Sequence, residues 1–251
     1  MINNAIRIGN ITSSEAVAIL ANGKTKGSLG QPCWTYLDEC NMERRLGRSI
    51  EKESTVRSLS WGELCEGYGF DNLGTEYRLC SQETIQHPYI DYFVGSPDGE
   101  KLDEGKTVID LKCPITLKAF CTMVDPLYNG KSGWDTMQLI RSKLKEGEKY
   151  YVQLVANSIL LKAKYAELVV CMPYYKDLGD IKLLAAAAPD ELKHRYYWIM
   201  NARDEELPYL PDNCFYKNIN VIRFEIPEAD KSAFIMRLKE VGQHLIPWPK
   251  K

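Results

Sequence analysis

Apolar positions along this chain recur with two different spacings, and the switches between them divide it into helical and extended stretches. "ITSSEAVAILANG" opens with Thr12 as a helix N-cap and Glu15 three residues later, then carries apolar residues to Gly23. A basic, glycine-rich loop follows over 23–32. The spacing then predicts a helix over about 32–45 and another from near Thr55 through Phe70.

Beyond residue 75 the period falls to two. Residues 76–84, 89–95 and 106–113 read as three strands, joined by turns containing Pro88, "SPDG" and "EG". A short helix over 116–124 leads into an irregular, glycine-bearing loop that runs to about 134. Residues 147–163 read as a strongly amphipathic helix, and 165–174 and 219–226 as strands. A terminal helix over 227–245 has Pro227 in its first turn. Helices, an antiparallel meander, a helix and a returning strand predict an α/β sheet flanked on both faces. No repeat, low-complexity tract or Pro/Gly-rich linker divides the 251 residues, so a single domain is expected. Its parts are a helical segment over about 1–70, a sheet core over about 71–175, and a C-terminal strand and helix within about 176–251.

Composition narrows the class. No stretch approaches the ~20 apolar residues of a membrane span. The N-terminus shows no basic segment followed by an apolar one, so a cytoplasmic protein is expected. Eight cysteines without a C-x-x-C pair, and three isolated histidines, argue for buried free thiols rather than a zinc site. A net charge of −2 does not mark a nucleic-acid binder. Its distribution is more telling. Residues 61–110 hold eleven acids against three bases, whereas 112–164 hold nine bases against four acids. A metal-dependent enzyme acting on a polyanion needs such a juxtaposition, although a solvated patchwork surface also produces it.

The chemistry concentrates in "GSPDGEKLDEGKTVIDLKCP". An apolar run, Val108-Ile109, ends in Asp110 and Lys112, which share a strand face, and Asp98 sits on the preceding turn. Pairing of 89–95 with 106–112 would bring both acids to one end of the sheet. A buried carboxylate is costly alone, and a divalent ion with hard oxygen ligands relieves that cost. Lys112 would then orient or deprotonate an attacking water, or neutralise charge on a phosphate. The plain alternative is a solvated turn with a Lys–Asp ion pair.

"SPDG", a gap and "IDLKCP" together resemble the signature of the PD-(D/E)XK nuclease superfamily. The likeness is greatest to the bacteriophage lambda exonuclease and YqaJ-type viral recombinase nucleases. "RIGNITSSEAVAIL", "LSWGELCE" and "YYVQLVANSILLKAKYAELVVCMPY" resemble further blocks of that family, in the same order, across about residues 7–175. The resemblance implies a restriction-endonuclease-like core, a central mixed β-sheet flanked by helices. It implies a Mg²⁺-dependent deoxyribonuclease, with Mn²⁺ as a substitute, that resects linear double-stranded DNA 5′→3′ for phage-type recombination. Asp98, Asp110 and Glu66 would be metal ligands, Lys112 the catalytic lysine and Gln153 a further active-site residue. Arg7, Ser14 and Ser96 would hold the terminal 5′-phosphate. Partners implied are duplex DNA ends, a single-strand annealing protein and further copies of the chain in a trimer, in a bacterial host.

Each residue has a plainer reading. Glu66 would serve as a solvated helix residue, as Glu63 equally would, although the spacing from Gly62 favours Glu66 for the site. Gln153 would serve as a polar core contact, Arg7 as a surface ion pair, and Ser14 as a first-turn helix residue; Tyr150 and Tyr151 read as core. The chain also departs from the family's pattern. Asp110 stands where relatives often have glutamate, and Asn3 where many carry tryptophan. Rival functions are an endonuclease of restriction or junction-resolving type, and a silent DNA-binding domain.

Overall fold

A computed structural model describes residues 4–50, 56–80 and 84–248. Thr55 and Asn3, and the middle of the strand expected over 76–84, lie outside the described residues. The chain opens with the short helix α1 (Asn4–Arg7), strand β1 (Ile11–Thr12) and a 3-10 helix over Ser13–Leu20. Helices α2 (Gln31–Leu46) and α3 (Arg57–Asp71) follow. Then come β2 (Tyr77–Leu79), β3 (Ile85–His87), β4 (Ile90–Gly95), β5 (Gly99–Lys101) and β6 (Thr107–Lys112). Three helices, α4 (Leu117–Tyr128), α5 (Gly133–Lys143) and α6 (Gly147–Leu161), lead to β7 (Tyr165–Cys171). Helices α7 (Leu178–Ala187) and α8 (Asp190–Asn201), strand β8 (Ile219–Glu225) and helix α9 (Glu228–Gly242) complete it.

The strands form two sheets, β1-β4-β3 and β2-β5-β6-β7-β8. In the larger sheet β6 and β7 are parallel and the other neighbours antiparallel. A parallel pair needs a crossover, and α4 to α6 supply it. This is the mixed sheet flanked by helices that was expected, but the meander differs. β6 does not pair with 89–95; those residues belong to the smaller sheet. Its antiparallel partner is the three-residue β5, with Gly99 opposite Ile109. The "SPDG" stretch therefore carries the chain from one sheet to the other.

Alternation along β6 and β7 builds two cores. Val108, Leu168 and Val170 face α6 and α4 in a core that includes Leu154 and Met123. Ile109, Leu111, Val169 and Cys171 face the other way, against Trp61 and Cys65 of α3, Ile181 of α7 and Ile199 of α8. Because α6 lies between the larger sheet, the 3-10 helix and β4, most of its residues are buried, including Asn157 and Ser158. It is a central helix rather than the amphipathic one its sequence suggested.

Other elements also depart from expectation. Thr12 has the extended backbone of an N-cap, but its side chain caps nothing. Its hydroxyl lies 3.2 Å from Tyr36 Oη and 3.3 Å from Ser14 Oγ, and the 3-10 helix ends at Leu20, before Gly23. The region predicted as loop up to 134 holds the rest of α4 and the start of α5, whose Ser132 accepts from the Asp135 amide. Helices α7 and α8 were not predicted. Among the described residues no helix is long and apolar enough to cross a membrane.

Gly133 shows why the α4–α5 turn is glycine-bearing. A Cβ there would stand 1.8 Å from the Arg223 carbonyl oxygen on β8. Gly133→Ala is expected to lower stability by about 1–3 kcal/mol through this overlap. Chemical denaturation beside the wild type measures it; an unchanged midpoint would show that α5 shifts freely.

Candidate active site

β5 pairs with Thr107–Ile109 and leaves the last three residues of β6 uncovered on that edge. Continuing the register beyond the Gly99–Ile109 pair sets Asp98 across from Asp110. There Asp98 replaces the missing strand: its Oδ2 accepts from the Leu111 backbone amide at 2.7 Å. An amide that would be orphaned at the strand's edge thus fixes one carboxylate beside another.

Asp110 is fully buried, and neither of its oxygens receives a well-directed hydrogen bond. Lys112 Nζ lies 2.8 Å from its Oδ2, so the contact is a close ion pair that leaves lone pairs unspent. Burial opposes charge on Lys112, but Asp110 and Asp98 outweigh it and raise the lysine pKa. Burial also raises the Asp98 pKa, and the neighbouring Asp110 and Glu66 charges add to that shift. Glu66 reaches the same place from α3, its pKa raised mainly by burial and held back by Lys112. Three carboxyl groups crowded around one ammonium leave excess negative charge in a poorly solvated place. Among the described residues no group of three or more His, Cys, Asp or Glu side chains stands close enough together, as placed, to hold a metal ion.

A cleft of about 670 Å³ opens onto this cluster, lined by Glu66, Asp98, Lys112, Tyr150 and Gln153 among others. Lys145 and Lys149 also line it, so the acidic and basic blocks of the sequence meet here. Glu63 shares the wall, but its carboxylate pairs with Arg195 at 2.8 Å. Tyr150, expected in the core, packs against it half-buried and also lines the cleft, with its ring 5.4 Å from Lys112 Nζ. Its place three residues before Gln153 puts both on one helix face, a signal the sequence did contain. Tyr151 is buried as expected, and its hydroxyl engages Asp230.

Arg7, Ser14 and Ser96 meet in a second place. Arg7 donates through Nη1 to Ser96 Oγ at 3.0 Å and through Nη2 to Ser14 Oγ at 3.1 Å. Each serine touches a further hydroxyl, Thr84 at 3.1 Å from Ser96 and Thr12 at 3.3 Å from Ser14. Sequence reasoning missed Thr84, Thr12 and Tyr36, whose neighbourhood arises only from the packing of β1 and β4 with α2. Arg7 and Ser14 border a hollow of about 190 Å³. Three acids stand on its wall: Glu43 accepts from the Gly9 and Ile50 amides, Glu15 pairs with Lys149 at 2.8 Å, and Glu39 lines the hollow as well. Since Lys149 also lines the cleft, that ion pair joins the two places.

No family model matches the sequence, and no curated relative matches it either. Similar solved structures do exist. A phage-related exonuclease from Haemophilus somnus 129PT is 12% identical with a TM-score of 0.58, the match covering 94% of this chain and 92% of that one. The alkaline exonuclease LHK-Exo from Laribacter hongkongensis is 17% identical with a TM-score of 0.56, covering 95% and 89%. The same enzyme in complex with dAMP gives 18% identity and a TM-score of 0.52, covering 95% and 93%. Over nearly its whole length, this chain has the fold of these exonucleases.

Proposed function

We propose that the protein is a Mg²⁺-dependent exonuclease that degrades one strand of linear double-stranded DNA from a 5′-phosphorylated end. The observation that carries this reading is Asp110: fully buried, paired only with the Lys112 ammonium, across from Asp98 and just behind the cleft wall that Asp98, Lys112 and Glu66 form. A buried carboxylate left so under-bonded is costly unless a cation completes it. Asp98, Asp110 and Glu66 are hard oxygen donors that fit Mg²⁺, with Mn²⁺ as a substitute. Bound there, the ion would act as a Lewis acid on the scissile phosphate and favour ionisation of the attacking water.

The chain's own residues divide the remaining work. Lys112, paired with Asp110, would neutralise charge growing on the phosphate oxygens or orient the attacking water. Gln153 and Tyr150 orient the strand against Lys112. Arg7 presents a guanidinium flanked by the Ser14 and Ser96 hydroxyls, donors suited to a terminal phosphate. A fixed anion site beside the cleft favours an exonuclease over an endonuclease, which has no end to hold. The dAMP bound by LHK-Exo fits the same reading, because a mononucleotide is what an exonuclease releases. Handing the remaining 3′ strand to an annealing protein, assembly as a trimer and action in bacterial recombination belong to the proposal on the family resemblance.

The deciding experiment incubates linear duplex bearing 5′-phosphate or 5′-hydroxyl ends with the protein, with Mg²⁺ or with chelator. Mg²⁺-dependent release of nucleotides, faster from phosphorylated ends, is expected. No cleavage under any condition would defeat the reading.

Three variants separate the roles. Asp110→Asn is expected to leave roughly a few per cent of activity at most, and Mg²⁺, expected to raise the melting temperature of the wild type, should not raise that of the variant. Lys112→Ala should slow single-turnover cleavage by about 10²–10⁴-fold while calorimetry still detects metal binding. A normal rate with only a lowered melting temperature would reduce Lys112 to a structural ion pair. Arg7→Ala should slow digestion of phosphorylated ends to the rate on hydroxyl ends; a retained preference would place the phosphate elsewhere.

A further inference from the structure

Among the described residues, two carboxylate or carboxamide side chains have both polar atoms buried without a hydrogen-bond partner: Asp110 and Asn157. The cation accounts for the first. Asn157 is fully buried in α6, one helical turn beyond Gln153, and no ion would be held by a lone amide. Buried amides are nearly always bonded, so this one calls for a partner.

Its surroundings show where that partner lies. The closest approach of α6 to β4 is at Gly95, where a Cβ would stand 2.5 Å from Leu160 Cδ1 and 2.8 Å from Asn157 Oδ1. Ser13 Oγ lies 2.6 Å from the same point. Gly95 immediately precedes Ser96, and Ser13 immediately precedes Ser14. Asn157 therefore sits directly behind both serines that accept from Arg7. The helix that carries it also carries Gln153 and Tyr150 to the cleft.

We propose that Asn157 is a positioning residue that links the Arg7 subsite to the cleft, an inference that rests on the terminal-phosphate reading of Arg7, Ser14 and Ser96. In the free protein both serine hydroxyls accept from Arg7. An arriving phosphate takes over the guanidinium, and the hydroxyls turn to donate to it. Turning of the Ser14 hydroxyl reorients its neighbour Ser13, whose Oγ already crowds the same face of Gly95 as Asn157 Oδ1, so that Ser13 reaches the unspent amide. A hydrogen bond made only in the loaded state favours phosphorylated ends and fixes the register of α6, hence of Gln153, against the strand.

The test compares wild type, Asn157→Leu and Asn157→Ala for binding of 3′-labelled duplexes with 5′-phosphate or 5′-hydroxyl ends, by anisotropy in chelator. Thermal melting and steady-state digestion in Mg²⁺ accompany it. The Leu variant removes the buried amide at similar volume, and the Ala variant covers the case in which Leu does not fit beside Gly95. The expected result is a phosphate-to-hydroxyl binding ratio lowered roughly fivefold to tenfold, the weight of one net hydrogen bond. The loss should appear in KM for phosphorylated ends, with the Leu variant melting no lower than the wild type. An unchanged ratio in both variants overturns the inference while leaving the exonuclease reading intact. It would mean that Asn157 is satisfied by a buried water. A wild type that binds both ends equally overturns the phosphate subsite and this inference together.

Discussion

A carboxylate in the interior of a sheet is the constraint around which this structure is arranged. Asp110 lies on β6 between Ile109 and Leu111, both buried, so it cannot reach bulk water by a change of rotamer. The chain answers with one ammonium, Lys112, and then adds Asp98 and Glu66, which make the local charge balance worse rather than better. A protein selected only for stability would place apolar residues here, since replacing buried ion pairs is often neutral or favourable. The excess of acid makes sense as a site that stores a cation's worth of electrostatic attraction. The truncated β5 is its mechanical cause: a longer strand would pair with the Leu111 amide and leave Asp98 no reason to turn inward.

The second organising element is α6. It lies between the larger sheet and the 3-10 helix, and it presents different residues to different neighbours. Tyr150 and Gln153 line the cleft, Lys149 ties the cleft wall to Glu15, and Asn157 backs the segments that bear Ser14 and Ser96. Such a helix cannot tilt without moving both places at once. Their offset is therefore fixed by packing in the core rather than by loops, which suits positioning to within a fraction of an ångström.

The strand bearing Asp110 and Lys112 was legible because an apolar run followed by charges is conspicuous, and α2, α3, α6, β7, β8 and α9 were legible from their periodicity. The pairing of β6 was not. Gly99-Glu100-Lys101 has no strand signature, and only the backbone groups of β6 make it one. Helix α5 was hidden by Gly133, which looks like a loop residue but is required by the Arg223 carbonyl. Helices α7 and α8 bury only a few residues each against α3 and the sheet, so their apolar pattern is faint. At the candidate site the same division holds. Asp98, Asp110 and Lys112 could be named from the sequence pattern and Glu66 from the family resemblance, whereas Tyr36, Thr84 and Asn157 matter through contacts that no local pattern encodes.

Identities of 12–18% over nearly the full chain show how little of the sequence the fold prescribes. Core positions need only apolar volume, and many residues supply it. The proposed chemistry is far less tolerant. On the proposed reading, the acids at 98 and 110 answer to a cation held between them, and the serines at 14 and 96 to a phosphate that takes over Arg7. Fold likeness alone would be equally compatible with an enzyme that cuts within a duplex. On the reading proposed here, the distinction lies in having two anion-directed places at a fixed offset. One carries surplus acid that calls for a cation, and the other carries a guanidinium already dressed in hydroxyls. A phosphate held at the second sets which phosphodiester reaches the first, so strand polarity follows from the rigidity of α6 and not from any base contact.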